Sequence, residues 1–304
     1  MSTEMKKFIF AFLLGVSSWS LSSSVSAETI YGIAELGGQT LVTWDSASPN
    51  DLDSGYVISG LLANETIKAI DFRPATGGLY ALGSTSRLYT VDVNTGVATE
   101  VPPPGAFTPT LNGFNFGFDF NPVIDRLRVV SDVNKNYVLN PNDGSATGVI
   151  DLFYNAADPN FGVDPNVVHS AYTNNTNPAP TSTQLYGIDT GLNILVTQAN
   201  SAGTLGTVGP LGLDVAAAGG FDISGVTGIA YAALLPTSSS QSRFYRINLL
   251  TGAATDLGVV DGGLFITALT IAPDGADPFV PEPASVALLG LAAMGMCGRK
   301  WRVA

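Results

Sequence analysis

The chain has 304 residues, of which 12% are charged, and it contains one Cys and one His. Glu occurs only six times and Lys only five times, which argues against a helical bundle because these side chains favour exposed helices. A single Cys excludes an internal disulfide framework and a Cys-based zinc site. A single His excludes a metal site with several His ligands.

The N-terminus has the three parts of a secretory signal peptide. Lys6 and Lys7 supply positive charge, residues 8–16 form a short apolar run, and small residues precede Ala27. The apolar run is too short to cross about 30 Å of hydrocarbon. We therefore predict that residues 1–27 are a signal peptide cleaved after Ala27, so that the protein is exported.

The body of the chain repeats one unit of short strands. Residues 88–96 and 244–252 follow the same pattern of an apolar strand and a Gly turn, which is typical of a β-hairpin. A short strand precedes each hairpin, with Tyr at its second position in four of five copies: residues 30–33, 79–82, 127–130, 185–188 and 230–233. A further strand precedes that one: residues 70–72, 118–120, 171–173, 221–223 and 269–271.

These units predict an all-β fold, a β-propeller of about five four-stranded blades over residues 28–279. Successive units begin about 48–53 residues apart, which is the period of propeller blades. The first unit lacks its leading strand, and a spare one stands at residues 269–271. We predict that this strand pairs with residues 30–33 and closes the ring, which removes exposed sheet edges. The alternative is an open β-sandwich with accidental periodicity.

Residues 30–273 resemble the uncharacterised propeller family called DUF4394. The resemblance rests on five segments: residues 70–74 (IDFRP), 116–122 (FGFDFNP), 126–131 (RLRVVS), 171–174 (AYTN) and 185–189 (LYGID). It implies the propeller fold. The family has no established activity, so the resemblance implies none for this chain.

Asp71, Asp119 and Asp222 occupy the same position in three of the five leading strands. In a propeller those strands line the central channel. The three carboxylates are therefore candidate site residues, and three interpretations remain open. They accept structural hydrogen bonds, they hold a cation such as Ca²⁺, or they flank a sugar as in glycosidases. Their recurrence favours the structural interpretation, and we assign no catalytic residue, no metal ligand and no cofactor beyond this Ca²⁺ alternative.

Other side chains are predicted to be structural. His169 has no accompanying nucleophile motif and is expected to be a hydrogen-bonded structural residue. Arg126 and Arg128 are expected to pair with nearby carboxylates such as Asp125 and Asp132, and the alternative is that they bind a substrate carboxylate. Phe residues at 114, 116, 118 and 120 alternate, so they point to one face of a strand. We expect them to pack between blades, and the alternative is an aromatic platform for a glycan.

Residues 280–304 have the order of a membrane-associated sorting tail. Pro281, Glu282 and Pro283 precede an apolar run over residues 284–297, and the cations Arg299, Lys300 and Arg302 follow it. This order resembles the PEP-CTERM sorting signal of Gram-negative bacteria. The resemblance implies a short transmembrane segment, recognition by an exosortase, removal of the tail and release to the cell surface or extracellular matrix.

Net charge limits the partners of the exported body. Its eight Lys and Arg residues against 23 Asp and Glu residues give residues 28–280 a net charge of −15, which repels nucleic acid and anionic membranes. The sequence therefore predicts a non-enzymatic binding or structural protein of the exopolysaccharide matrix, with polysaccharide or another surface protein as partner. The alternative is a carbohydrate-active or metal-assisted hydrolase that uses the channel carboxylates.

Overall fold

A computed structural model describes residues 27–273 of the chain as an all-β propeller. These residues form 21 strands and one 3-10 turn at Asn200–Ala202, and none of their helices is long and apolar enough to cross a membrane. Residues 1–26 of the predicted signal peptide and the tail with Pro281, Glu282, Pro283, Arg299, Lys300 and Arg302 lie outside the described residues.

Five sheets, each with four antiparallel strands, form the blades, and the predicted blade count is confirmed. Blade 1 contains β1 (Thr29–Glu35), β2 (Gln39–Asp45), β3 (Leu52–Val57) and β21 (Ile266–Ile271). Blade 2 contains β4 (Ile67–Phe72), β5 (Leu79–Gly83), β6 (Arg87–Val91) and β7 (Ala98–Glu100). Blade 3 contains β8 (Phe116–Asn121), β9 (Arg126–Ser131), β10 (Asn136–Leu139) and β11 (Ala146–Gly148).

The last two blades follow the same order, with one addition. Blade 4 contains β13 (Val167–Tyr172), β14 (Leu185–Asp189), β15 (Ile194–Gln198) and β16 (Thr204–Pro210). Blade 5 contains β17 (Val215–Ile223), β18 (Ala230–Pro236), β19 (Arg243–Ile247) and β20 (Ala254–Val259). The two-residue β12 (Phe153–Tyr154) pairs in parallel with β16 as a fifth strand of blade 4, and the sequence pattern did not predict it.

The ring closes as predicted, by pairing of its N- and C-terminal strands. β21 pairs antiparallel with β1, with Thr270 opposite Tyr31. Buried Glu28, just before β1, accepts hydrogen bonds from Ser224 and Thr227 of blade 5. Strand pairing therefore joins the two ends of the described chain, and the buried carboxylate joins blade 1 to blade 5.

The hydrophobic core is divided among the interfaces between blades. Five clusters of buried apolar side chains each combine residues of two neighbouring blades. At two interfaces a Tyr of one blade meets a Phe of the next edge to face: Tyr31 with Phe72 at 5.1 Å and Tyr80 with Phe120 at 5.2 Å between ring centroids. Burial of these blade faces against each other stabilises the ring.

The channel is narrow because the innermost strands pack directly on one another. β4, β8, β13, β17 and β21 contact their neighbours around the whole ring. In β17, a Cβ placed on Gly220 would lie 2.1 Å from the Leu269 nitrogen and 2.6 Å from the Leu269 Cβ of β21. Only a residue without a side chain permits this approach of two backbones.

We predict that Gly220→Ala strongly destabilises the propeller, because the new methyl group meets backbone that cannot move without opening the ring. The free energy of unfolding, measured with urea, should fall by about 1–3 kcal/mol or more. Gly55→Ala is the matched control, since its added Cβ meets only side-chain atoms at 3.7 Å or more. Equal stability of the two variants would contradict the tight inner ring.

Candidate functional site

The three predicted channel acids come together at the centre of the ring. Asp71 in β4, Asp119 in β8 and Asp222 in β17 each offer an oxygen, and these oxygens lie within 4.8 Å of one another. The residues are only 2%, 1% and 3% exposed, respectively. The cluster therefore consists of three carboxyl groups removed from water.

Each acid accepts a backbone N–H from the next blade. Asp71 Oδ2 accepts from the Phe120 amide at 2.7 Å, and Asp119 Oδ1 accepts from the Tyr172 amide at 3.1 Å. Asp222 Oδ2 accepts from the Ile271 amide at 2.7 Å. In all three cases the donating amide belongs to the residue just after the one that occupies the Asp position in its own blade. The same type of hydrogen bond therefore recurs at three of the blade junctions.

The strand register identifies the two ring positions that lack an Asp. Asp71, Asp222 and Thr270 each face the recurring Tyr of the neighbouring strand, as does Ala171 opposite Tyr186. The equivalent residue in blade 4 is therefore Ala171. The predicted strand at residues 171–173 put Tyr172 at this position, which is wrong by one residue. With no acceptor on Ala171, the Ile223 amide instead donates to Asp222 Oδ1 at 2.6 Å.

Thr270 connects two of the carboxyl groups. Its hydroxyl oxygen lies 2.9 Å from Asp71 Oδ1 and 3.0 Å from Asp222 Oδ2. A hydroxyl has one proton to donate, so the second contact is a hydrogen bond only when one carboxyl group is protonated. The geometry thus favours a shared proton in the cluster.

Electrostatics favour protonation as well. Burial raises the pKa of Asp222 to about 6. Burial, followed by repulsion from Asp222, raises the pKa of Asp71 well above its usual range. The pKa of Asp119 rises for the same reasons, with Asp71 and Asp222 both repelling it. Burial is the largest cause of all three shifts, and repulsion within the cluster adds to those of Asp71 and Asp119.

The cluster has oxygen ligands but little room. Three convergent carboxylate oxygens are the donor set that Ca²⁺ accepts, so Asp71, Asp119 and Asp222 are the residues that could hold the ion. The cavity beside Asp71 and Asp222 has a volume of only about 20 Å³, which is room for about one water molecule. A sugar ring does not fit against these carboxyl groups.

Larger cavities lie at the two mouths of the channel. At the exit mouth, where the innermost strands end, a cavity of about 720 Å³ is lined by Pro74–Gly77, Asn175–Asn177, Gly225, Val226 and Pro273. None of these side chains is ionisable. At the entry mouth, where the innermost strands begin, a cavity of about 320 Å³ reaches His169 and Phe114.

Two expectations about cationic and aromatic side chains need correction. The carboxylate of Asp125 pairs with Arg73 of the neighbouring blade, while Arg126 donates to the Asp125 backbone carbonyl. Buried Arg128 bonds to the neutral groups of Asn136, Tyr172 and Ser201. Asp132 holds the loop before β8, where it accepts from the Phe114 and Asn115 amides.

The aromatic stripe divides at the start of β8, because the strand begins only at Phe116. Phe116, Phe118 and Phe120 are buried between blades 2 and 3, whereas Phe114 is 80% exposed. His169 is buried in β13, but its Nε2 has no hydrogen-bond partner. The expectation of a hydrogen-bonded structural His is therefore wrong for this nitrogen.

The family model of a domain of unknown function, DUF4394, matches residues 40–270. The chain belongs to the DUF4394 family. A second match, to the PEP-CTERM protein-sorting motif, covers residues 279–302, and it implies recognition by an exosortase and export through membrane-associated sorting. No curated protein matches the chain.

Three solved structures have a related shape at low similarity. Myxococcus xanthus glutaminyl cyclase is 13% identical, with 77% of this chain and 83% of that chain covered and a TM-score of 0.41. YCF48 bound to D1 peptide is 8% identical, with 73% and 60% covered and a TM-score of 0.37. A structural genomics protein of unknown function from Bacteroides thetaiotaomicron VPI-5482 is 15% identical, with 67% and 53% covered and a TM-score of 0.41. Likenesses at this level carry no inference about function.

We predict that Asp119→Ala destabilises the fold by about 1–3 kcal/mol at mildly acidic pH, because it leaves the buried Tyr172 amide without an acceptor. Asp119→Asn is the matched control, since its amide oxygen still accepts that N–H. Urea unfolding of both variants gives the comparison. An Asp119→Ala variant as stable as the wild type would contradict the structural role of this bond.

We predict that the propeller is more stable in mild acid than at neutral pH. Folding raises the pKa of Asp222 from about 4, the value of a free Asp, to about 6. The raised pKa stabilises the folded state fully below about pH 4, the pKa of the unfolded chain. This stabilisation is lost as pH rises through about 6, the pKa of the folded state, because the folded protein then releases its extra proton.

The free energy of unfolding should therefore fall by more than about 1 kcal/mol between about pH 4.5 and about pH 7.5. Asp119→Asn should reduce this dependence, since it removes a titrating carboxyl group whose own pKa is raised in the folded state. A flat pH profile combined with a rise in melting temperature in millimolar Ca²⁺ would contradict the shared proton and indicate a cation site.

Proposed function

We propose that this protein is a non-enzymatic binding or structural component of the exopolysaccharide matrix, with matrix polysaccharide or another surface protein as its partner. The observation that carries the proposal is the sorting motif at residues 279–302. Such a motif sends a protein out through the membrane, and a ligand of the propeller must then be available outside the cell.

The proposed route begins with cleavage of the signal peptide after Ala27. The tail then holds the precursor transiently in the inner membrane of a Gram-negative cell, and the exosortase removes it and releases the propeller to the surface or matrix. Only residues 272–278 separate the end of β21 at Ile271 from the sorting match. This short spacer keeps the precursor's propeller close to the membrane during processing.

Binding, rather than bond cleavage, suits the two channel mouths. The carboxyl groups that could act as acids or bases are buried, and they already accept hydrogen bonds from backbone amides. The exit cavity is large but has no ionisable lining residue. A neutral, hydrated partner such as a polysaccharide also meets no repulsion from the net charge of −15 over residues 28–280.

The hydrolase alternative is supported only by the short distance between the carboxyl groups. Two carboxyl groups about 5–5.5 Å apart can cleave a glycoside with retention, and the cluster here is at least as tight. The substrate, however, must reach both groups, and the adjoining cavity of about 20 Å³ admits no sugar ring. We therefore do not assign a hydrolytic reaction to these acids.

We predict that replacing Pro281, Glu282 and Pro283 together by Ala leaves the protein in the inner-membrane fraction with its tail attached. The wild type should instead occur in the extracellular polysaccharide fraction without Trp301. Cell fractionation followed by mass spectrometry of the C-terminal peptide measures both properties.

Pro278→Ala is the control for this experiment, because Pro278 precedes the matched motif. It should be processed and should co-purify with polysaccharide as the wild type does. Release of the triple variant, or a surface product that retains Trp301, would contradict the route. Processed protein that washes free of polysaccharide and of other surface proteins would contradict the proposed role in the matrix.

A further inference from the structure

The entry mouth holds a cavity that the channel acids do not explain. It has a volume of about 320 Å³ and lies at the opposite end of the innermost strands from the exit cavity. A constriction of about 10 Å³ separates it from the centre of the ring. A ligand at this mouth would therefore remain at the mouth rather than pass through the channel.

The walls of this cavity are built from irregular strand starts. Strand pairing skips Lys68 in β4, Val168 in β13 and Thr267 in β21, and it also shifts within β17 at residues 216–218. All four irregularities line the same cavity. Bulges redirect side chains, and they occur often beside functional sites.

One buried polar atom in this cavity has no partner within the described chain. His169 is 4% exposed, lines both the cavity and the constriction, and has an Nε2 without a hydrogen bond. Burial lowers the pKa of His169 to about 4, so the imidazole is neutral above about pH 5. A neutral imidazole nitrogen left unpaired costs stability, and a ligand hydroxyl would provide its missing partner once the imidazole turns Nε2 toward the cavity.

The rim carries an exposed aromatic ring on a fixed backbone. Phe114 is 80% exposed, although an apolar side chain of this size is normally buried. Asp132 accepts hydrogen bonds from the Phe114 amide at 2.9 Å and from the Asn115 amide at 3.1 Å. The ring is thereby presented to the cavity from a loop whose backbone is held in place.

Charge indicates the type of ligand. Glu35 and Lys68 line the cavity with opposite charges, and His169 adds none, so the cavity has no net charge. Gln39 is held by both backbone groups of Ile67, at 2.6 Å and 3.0 Å, and it donates to Glu35 at 3.1 Å. These groups offer donors and acceptors to hydroxyl groups without selecting an ion.

We propose that the entry cavity binds one neutral hexose unit of a polysaccharide, which stacks on Phe114 and hydrogen-bonds to His169 Nε2. This inference rests on the proposed function and names the site and ligand class for it. An apolar ring face beside a few directed polar groups is the usual composition of a small-ligand site. The cavity volume of about 320 Å³ is enough for a sugar ring, with the rest of the polysaccharide chain outside.

The test uses the processed wild-type protein and neutral glucan, galactan and mannan oligosaccharides as probes, with an oligouronate as the anionic comparison. His169 is the only His of the chain, so its imidazole resonances in a ¹⁵N NMR spectrum need no assignment. We expect at least one neutral oligosaccharide to shift the Nε2 resonance. We also expect Phe114→Ala to weaken its affinity by about tenfold or more.

Phe161→Ala is the matched control, because Phe161 is also exposed, at 63%, and lines none of the described cavities. It should bind as the wild type does. Neutral oligosaccharide binding that leaves His169 unperturbed and survives Phe114→Ala would overturn the site but leave the matrix function standing. A preference for the oligouronate would overturn the ligand class. Failure of every oligosaccharide and of the native matrix polysaccharide to bind would overturn this site, and a matrix function would then require a protein partner.

Discussion

The innermost strand of every blade is a sheet edge, and the backbone N–H groups on its channel side have no ladder partner in their own sheet. A buried amide without an acceptor is costly, so a closed propeller with a narrow channel must supply acceptors from elsewhere. In this protein a side chain of the preceding blade is the acceptor. Asp71, Asp119 and Asp222 each accept one such amide, and the acceptors converge at the centre.

That solution has an electrostatic consequence. Because the three acceptors occupy the same position in their strands, their carboxyl groups lie within 4.8 Å of one another at the centre of the ring. All three residues are almost completely buried. They can lower their mutual repulsion by holding protons or by holding a cation, and the position of Thr270 between two of them favours protons. The same packing narrows the channel, so that the cavities large enough for a ligand lie at its two mouths.

Repetition made much of this fold predictable. Strand alternation, hairpin turns and a spare terminal strand lead directly to five blades and to closure by β21. The position of the innermost strand of blade 4 was predicted one residue too far along the chain. Ala171 is not an Asp, and it lacks the apolar residues that stand on both sides of the equivalent position in the other copies. β12 was not predicted because a strand of two residues is too short to show an alternating sequence pattern.

The candidate sites were predictable only in part. Recurrence identified the acids as a group, but the amides of Phe120, Tyr172 and Ile271 carry no sequence signature, so their pairing required the structure. His169 and Phe114 are separated by 55 residues and meet at one mouth only through the packing of blades 3 and 4. The unpaired Nε2 depends on what surrounds the imidazole, which no local motif records.

The most direct measurement is native-state hydrogen exchange at the three amides that the acids accept. If these bonds hold the ring together, the Phe120, Tyr172 and Ile271 amides should exchange only through global unfolding. They should then be among the slowest in the protein, with the outer-strand amide of Thr99 as a faster reference. Exchange of the three amides by local opening, at rates like that of Thr99, would contradict the role assigned to the buried carboxyl groups.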